Sequence, residues 1–205
     1  MSLNISKSVT VFLIASFVVA AFSFLVWVLP SFFMTPNLTK VSLAKPLTAL
    51  QLEGRDVYID QGCHVCHTQM VRNIEAERRR YGRANKMEDD IYEYNFLWGS
   101  GRTGPDLTNV GLKYTADWHT QHLKDPQSLV PESIMPPFPW LFEQAIDGDI
   151  TEKKMTALRQ LGVPYTDKQI DAAAEAVKGK TKGDALVAYL LNLGIDTHSR
   201  EGDLQ

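Results

Sequence analysis

Both cysteines of this 205-residue chain lie in one short segment, Cys63-His64-Val65-Cys66-His67. This C-x-x-C-H spacing is typical of covalent haem attachment, because two thiols one turn apart can each form a thioether with one vinyl group of the porphyrin. The imidazole beside the second thiol is then placed to bind the iron as its proximal axial ligand. We therefore predict one haem c, attached at Cys63 and Cys66 and ligated by His67.

Two other functions of a cysteine pair fit the chain less well. A redox dithiol is expected within a βαβ pattern, and no such alternation surrounds these residues. A structural zinc site would need a second ligand pair, for which His119 and His122 are the candidates. The spacing of the two histidines, and the long gap between them and the cysteines in the chain, fit a zinc finger poorly.

The second axial ligand has to come from a distant loop, and Met135 is the best placed of the six methionines. It lies in segment 130–140, where four prolines restrict φ on both sides of it and prevent helix formation. A thioether on such a stiff loop suits an iron that changes oxidation state with little movement; Met87 is the reserve candidate. His/Met ligation fills both axial positions, so the predicted role is electron transfer and not catalysis.

Further residues are candidates to support the haem. In the segment Gly104-Pro105-Asp106-Leu107, the carbonyl of Pro105 can accept the Nδ1 proton of His67 and orient the ring. Arg72 and Arg102 can contact the haem propionates, because a guanidinium group suits a carboxylate.

Two histidines, His119 and His122, share one face of a helix predicted at 117–123. We interpret both as hydrogen-bonding or interface residues. The alternative is that one of them is an axial ligand, which would give a lower reduction potential.

An uncharged apolar segment, 9–29, precedes the haem motif. It is long enough to cross about 30 Å of hydrocarbon as one helix. A cleaved signal peptide is the alternative, but its apolar part is normally about 7–15 residues long, and here the apolar run continues past a small-residue site at 21–23. We predict a retained transmembrane anchor at 1–30.

The remaining chain is predicted to be mainly α-helical. The prolines at positions 30, 36 and 46 indicate an extended tether at 31–47, and the folded domain then occupies 48–205. Apolar spacing predicts helices near 50–59, 166–179 and 186–193, with Gly54 as a small position where another helix can cross closely. The formal net charge of −3 gives no reason to expect nucleic acid as a partner.

A charged and aromatic segment, 72–98, interrupts this pattern. Its first part is rich in arginine and its second part in acidic and aromatic residues. It reads as a solvated loop or, alternatively, as an insertion that docks on a partner protein.

In combination, these motifs resemble a known family. The haem motif, Gly104-Pro105-Asp106-Leu107, the late methionine and the leucine-rich terminal helix resemble a class I cytochrome c domain with loop insertions. Three longer stretches, 61–72, 118–123 and 133–141, look like the membrane-anchored monohaem subunit of cbb3-type cytochrome c oxidases.

This resemblance implies a subunit that is not an enzyme by itself. It would relay electrons from a dihaem cytochrome c subunit or a soluble cytochrome c to haem b of a catalytic haem-copper subunit, which reduces oxygen and pumps protons. The haem domain would face the periplasm from a single-pass anchor in the bacterial inner membrane. Calcium near the subunit interface is also implied, with Ser100 as a candidate contact. The alternatives are a stand-alone membrane-anchored carrier, a haem-based sensor and the haem c subunit of a nitric oxide reductase.

Overall fold

A computed structural model of the chain describes residues 8–33 and 44–195. The chain forms two compact units, Met1–Ser42 and Leu43–Gln205. The first unit contains helix α1, Val9–Phe33, which is long and apolar enough to cross a membrane.

Helix α1 extends three residues past the predicted end of the anchor at residue 30. Its turn at Phe24–Val28 is wider than an α-helical turn, and the N–H of Leu29 bonds the carbonyl of Phe24. Proline at position 30 has no N–H to donate, and the helix nevertheless continues to Phe33. Helices in apolar surroundings tolerate proline when local changes of winding satisfy the freed backbone groups.

The second unit consists of short helices joined by long loops. Its helices are α2 (Ala49–Asp60), α3 (Cys63–Cys66), α4 (Glu75–Tyr81), α5 (Ala116–Lys124), α6 (Pro126–Leu129), α7 (Gly148–Gln160), α8 (Asp167–Asp171), α9 (Ala173–Val177) and α10 (Lys182–Asn192). Short 3₁₀ turns lie at Met87–Asp90, Val110–Leu112 and Pro139–Phe142. Within the described ranges the only β pairing is the isolated bridge between Ala145 and Thr181. The predicted mainly α fold is confirmed.

Helices α2 and α10 cross closely at Gly54, as the sequence predicts. Helix α2 begins at a capping box in which Thr48 and Gln51 satisfy each other's backbone N–H groups. A Cβ atom on Gly54 would lie 1.9 Å from the carbonyl oxygen of Ala185, so only glycine allows this approach. The crossing buries Tyr58 and Tyr189 between the two helices and the haem motif.

The helix predicted at 166–179 is divided in the structure. Its capping box at Thr166 and Gln169 is present, but α8 ends at Asp171 and α9 starts at Ala173, with Ala172 between them. The apolar side chains of Ile170, Ala173 and Val177 are nevertheless all buried. Tertiary packing therefore overrides the continuous helical pattern while keeping its buried face.

The charged segment 72–98 is folded against the domain. Glu77 and Tyr81 of α4 are buried, and Arg83 forms an ion pair with Asp89. The guanidinium of Arg55 on α2 bonds the segment's Glu93 at 2.9 Å. A fully solvated loop is therefore the wrong interpretation, although the stacked rings of Phe96 and Trp98 remain partly exposed.

Candidate haem site

The two thiols lie on the single turn of α3. Gly62, with φ of 68°, ends the preceding helix in a left-handed conformation and lets α3 start immediately. Cys66 is exposed and Cys63 is partly buried. Burial raises the pKa of Cys63 to about 11, so this thiol is protonated at neutral pH.

The His67 imidazole is held from two sides. Its Nδ1 lies 2.9 Å from the carbonyl oxygen of Pro105. The backbone of Gly104 lies against the ring, where a Cβ atom would come within 2.3 Å of Cε1. The hydroxyl of Tyr58 donates a hydrogen bond to the carbonyl oxygen of His67. These contacts leave Nε2 as the ring nitrogen available to bind iron.

The electrostatic surroundings of His67 favour the neutral ring. Burial lowers its pKa, and the Pro105 carbonyl and the Asp106 carboxylate act in the opposite direction without cancelling the effect of burial. A neutral imidazole is the form that binds a metal.

Segments 66–70 and 104–108 form the frame around this ring. The N–H of Gly104 bonds the carbonyl of Cys66 at 3.0 Å, and the N–H of Leu107 bonds that of Thr68 at 3.1 Å. The buried carboxylate of Asp106 lies between the two segments and accepts the N–H of Met70 at 2.8 Å. Sequence reasoning did not single out Asp106; its position directly after Pro105 was the available signal.

Arg72 and Arg102, the two candidates for contacting the haem propionates, both bond the carboxylate of Glu77. Arg72 Nε donates to Glu77 at 2.7 Å, and Arg102 Nη2 donates to Glu77 at 3.0 Å. Hydrogen bonds from Arg72 are the main reason why the pKa of Glu77 falls to about 2. The structure thus places both guanidinium groups at the edge of the haem motif, paired with an anion of the chain itself.

The loop that carries Met135 is tied to helix α5. The N–H of Phe138 donates to the carbonyl of Leu123 at 2.7 Å, and the N–H of Met135 bonds the Ser133 hydroxyl at 3.2 Å. Met135 is partly buried and packs against the core. Met87, in contrast, lies on a surface turn and is 45% exposed.

The two histidines of α5 lie in different surroundings. His119 is 3% exposed, and burial, with a further contribution from His122, lowers its pKa to about 4. His122 stacks on Trp118 with ring centres 4.6 Å apart. Burial lowers the pKa of His122, and the nearby His67 adds to the shift.

These residues fit a haem group. The two thiols are the groups expected to attach the porphyrin and the neutral imidazole is the expected iron donor, and Gly104 leaves room for the imidazole ring. Two buried nitrogens, His119 Nε2 and His122 Nδ1, have no hydrogen-bond partner within the described residues. Buried polar atoms are normally paired, which suggests that a group outside the polypeptide completes this region.

No metal cluster of another kind is evident where the structure describes the chain. Within residues 8–33 and 44–195, no group of three or more histidine, cysteine, aspartate or glutamate side chains is arranged to hold a metal ion. Ser100, the candidate calcium contact, is exposed.

A helical unit that presents a C-x-x-C-H turn, in a chain that also has a helix suited to a membrane, defines a cytochrome c-like protein with a candidate membrane anchor. Residues 3–186 match the family model described as cytochrome c oxidase, mono-heme subunit/FixO. The chain belongs to this family, which confirms the resemblance seen in the sequence and implies one haem and a catalytic oxidase partner. No curated protein matches the chain.

Proposed function

We propose that the chain is the electron-relay subunit of a cbb3-type oxidase, with haem c attached at Cys63 and Cys66 and ligated by His67 and Met135. The observation that carries this proposal is the arrangement of His67 beside the two thiols. Its neutral ring lies against Gly104, and its Nδ1 bonds the carbonyl of Pro105. Each thiol would add across one vinyl group, with its hydrogen passing to the other vinyl carbon.

The residues around the iron have distinct roles in this proposal. The bound haem supplies reversible one-electron chemistry. Pro105 fixes the orientation of His67, and the carbonyl it presents strengthens the imidazole as a donor. The proline-rich loop keeps the Met135 thioether in place in both oxidation states. Propionate contacts by Arg72 or Arg102 stay a prediction, because Glu77 already pairs with both.

The family and helix α1 support a proposal for the location and the partners. We place the anchor in the bacterial inner membrane and the haem domain in the periplasm, where haem c is attached. Electrons would arrive from a dihaem cytochrome c subunit or a soluble cytochrome c and leave to haem b of the catalytic subunit. Segment 72–98 offers exposed aromatic rings for docking. A calcium ion at Ser100 would need further ligands from another subunit.

The axial ligands are tested by replacing Met135 with histidine in the full-length, haem-loaded chain. If Met135 binds the iron, the oxidised variant loses the weak near-infrared sulfur-to-iron band that the unchanged chain shows. Met87→Leu is the matched control, because Met87 is exposed on a surface turn, and it should keep the band. A band that persists in Met135→His and disappears in Met87→Leu would reverse the assignment.

Purification tests the partnership. A chain that belongs to an oxidase should leave the membrane together with haem b and copper. Recovery of the chain alone, without either, would favour the stand-alone carrier. Ready binding of carbon monoxide to the reduced chain would instead indicate an open axial position and a sensor.

A further inference from the structure

Asp106 has the most completely buried carboxylate near the haem motif. Its side chain is 0% exposed. One oxygen accepts the N–H of Met70 at 2.8 Å and the Thr68 hydroxyl at 3.3 Å. The other accepts the N–H of Thr108 at 2.9 Å. A buried carboxylate with this many donors is held firmly in one place.

These contacts join the two segments that meet at His67. Thr68 and Met70 follow His67 directly in the chain, and Asp106 follows Pro105, whose carbonyl bonds the His67 ring. Two backbone hydrogen bonds, from Gly104 to Cys66 and from Leu107 to Thr68, flank the carboxylate. Movement of Asp106 would therefore change the distance between the Pro105 carbonyl and the imidazole.

The charge of Asp106 is balanced by a chain of ion pairs. Arg102 Nη2 lies 3.7 Å from Asp106 and 3.0 Å from Glu77. Glu77 also pairs with Arg72. Glu77 comes from α4, within the charged segment 72–98, so this segment helps to hold Arg102 beside the haem motif.

We propose that Asp106 is a positioning residue for the proximal ligand, and that its buried negative charge lowers the reduction potential of the iron that His67 binds. This inference rests on the proposed function, because it requires haem ligation by His67. The negative charge stabilises the oxidised iron, which carries one more positive charge than the reduced iron.

Asp106→Asn separates the charge from the shape of the side chain. If the amide oxygen accepts the N–H of Thr108, its NH₂ group faces the N–H of Met70 and Arg102. If it accepts the N–H of Met70 instead, the NH₂ group faces the N–H of Thr108. The variant therefore loses the negative charge and loosens the support of Pro105. A weaker hydrogen bond at Nδ1 makes the imidazole a weaker donor, so both effects raise the potential.

The experiment is a spectroscopic redox titration of the full-length, haem-loaded chain in detergent. For Asp106→Asn we expect reduction to become about tenfold more favourable, a rise of about 59 mV. Asp117→Asn is the control, because Asp117 is an exposed acid on α5, and its potential should stay unchanged. Arg102→Gln removes the cation beside Asp106 and should lower the potential.

The outcomes separate this inference from the proposed function. An unchanged or lowered reduction potential in Asp106→Asn overturns the inference. It is also overturned if the potentials of Asp106→Asn and Arg102→Gln shift in the same direction. If Asp106→Asn does not fold, the potential of Arg102→Gln is sufficient by itself, and an unchanged or raised value overturns the inference. Absence of covalent haem in the unmodified chain would instead refute the proposed function itself.

Discussion

Replacing Gly54 with alanine tests whether the close crossing of α2 and α10 is real. Gly54 lies inside α2, and the new Cβ atom would lie 1.9 Å from the carbonyl oxygen and 2.5 Å from the carbonyl carbon of Ala185. Both atoms belong to the backbone of α10. No rotation of a side chain can relieve this overlap, so the two helices must separate.

Two opposing effects determine the size of the change. Alanine in a helix interior is favoured over glycine by about 1 kcal/mol. Overpacking a core costs about 1–3 kcal/mol and more when backbone has to move. Here the helices must move apart by about 1 Å, which also loosens the packing of Tyr58 and Tyr189. We expect a net loss of about 2 kcal/mol in the free energy of unfolding.

The assay is thermal unfolding of the full-length, haem-loaded chain, followed by far-UV circular dichroism. A loss of about 2 kcal/mol should lower Tm by about 4–8 °C in a domain of this size. Lys153→Ala, at an exposed position of α7, is the control and should change Tm little.

The direction of the change in Tm distinguishes the two possibilities for Gly54→Ala. If the helices did not cross at Gly54, alanine would stabilise α2 and raise Tm by a few degrees. A Tm that rises or stays level in Gly54→Ala would therefore refute the packing described for α2 and α10.

Two further substitutions test the surroundings of the site. Burial, with the nearby charge of Glu93 adding to it, raises the pKa of Asp90 to about 7, so the folded chain holds this proton more tightly than the unfolded chain. The contribution of Asp90 to stability should therefore fall by roughly 2–4 kcal/mol as the pH rises from about 4 to 7, while the lowered pKa of buried His119 acts in the opposite direction over the same range. In chemical unfolding curves the difference in unfolding free energy between the unchanged chain and Asp90→Asn should change by this amount across that range, and a difference that does not vary with pH would contradict the reasoning. In Gly104→Ala, the added methyl would lie 2.3 Å from Cε1 of His67 and displace the ring from the Pro105 carbonyl. We expect a shifted Soret band and less haem-loaded chain on a haem-stained gel, whereas a normal spectrum at full yield would argue against the contact.

Much of the fold was readable from local patterns. The capping boxes at Thr48 and Thr166 and the apolar spacing of the terminal helix each depend on residues within one or two turns of one another. The crossing point at Gly54 was also predictable from the sequence. A glycine inside a helix is destabilising, and a close approach by another helix is a reason for its presence there. The apolar pattern did not reveal the break at Ala172, because buried spacing is nearly the same in one helix and in two short ones.

The sequence by itself predicted the class of protein, which the family match confirms, and a cofactor chemistry that stays a prediction. Cys63, Cys66 and His67 are neighbours in the chain, so their spacing alone specifies which groups they can bind. The apolar run of α1 is likewise a local property.

Only the tertiary structure decided how His67 is supported. Arg102 and Asp106 lie far from His67 and from Glu77 in the sequence, and each of these three charged residues alone reads as an ordinary one. Folding brings them into one buried network, where an unpaired charge would be costly and a paired one is held in place. Such pairing depends on the path of the whole chain, which no local spacing encodes.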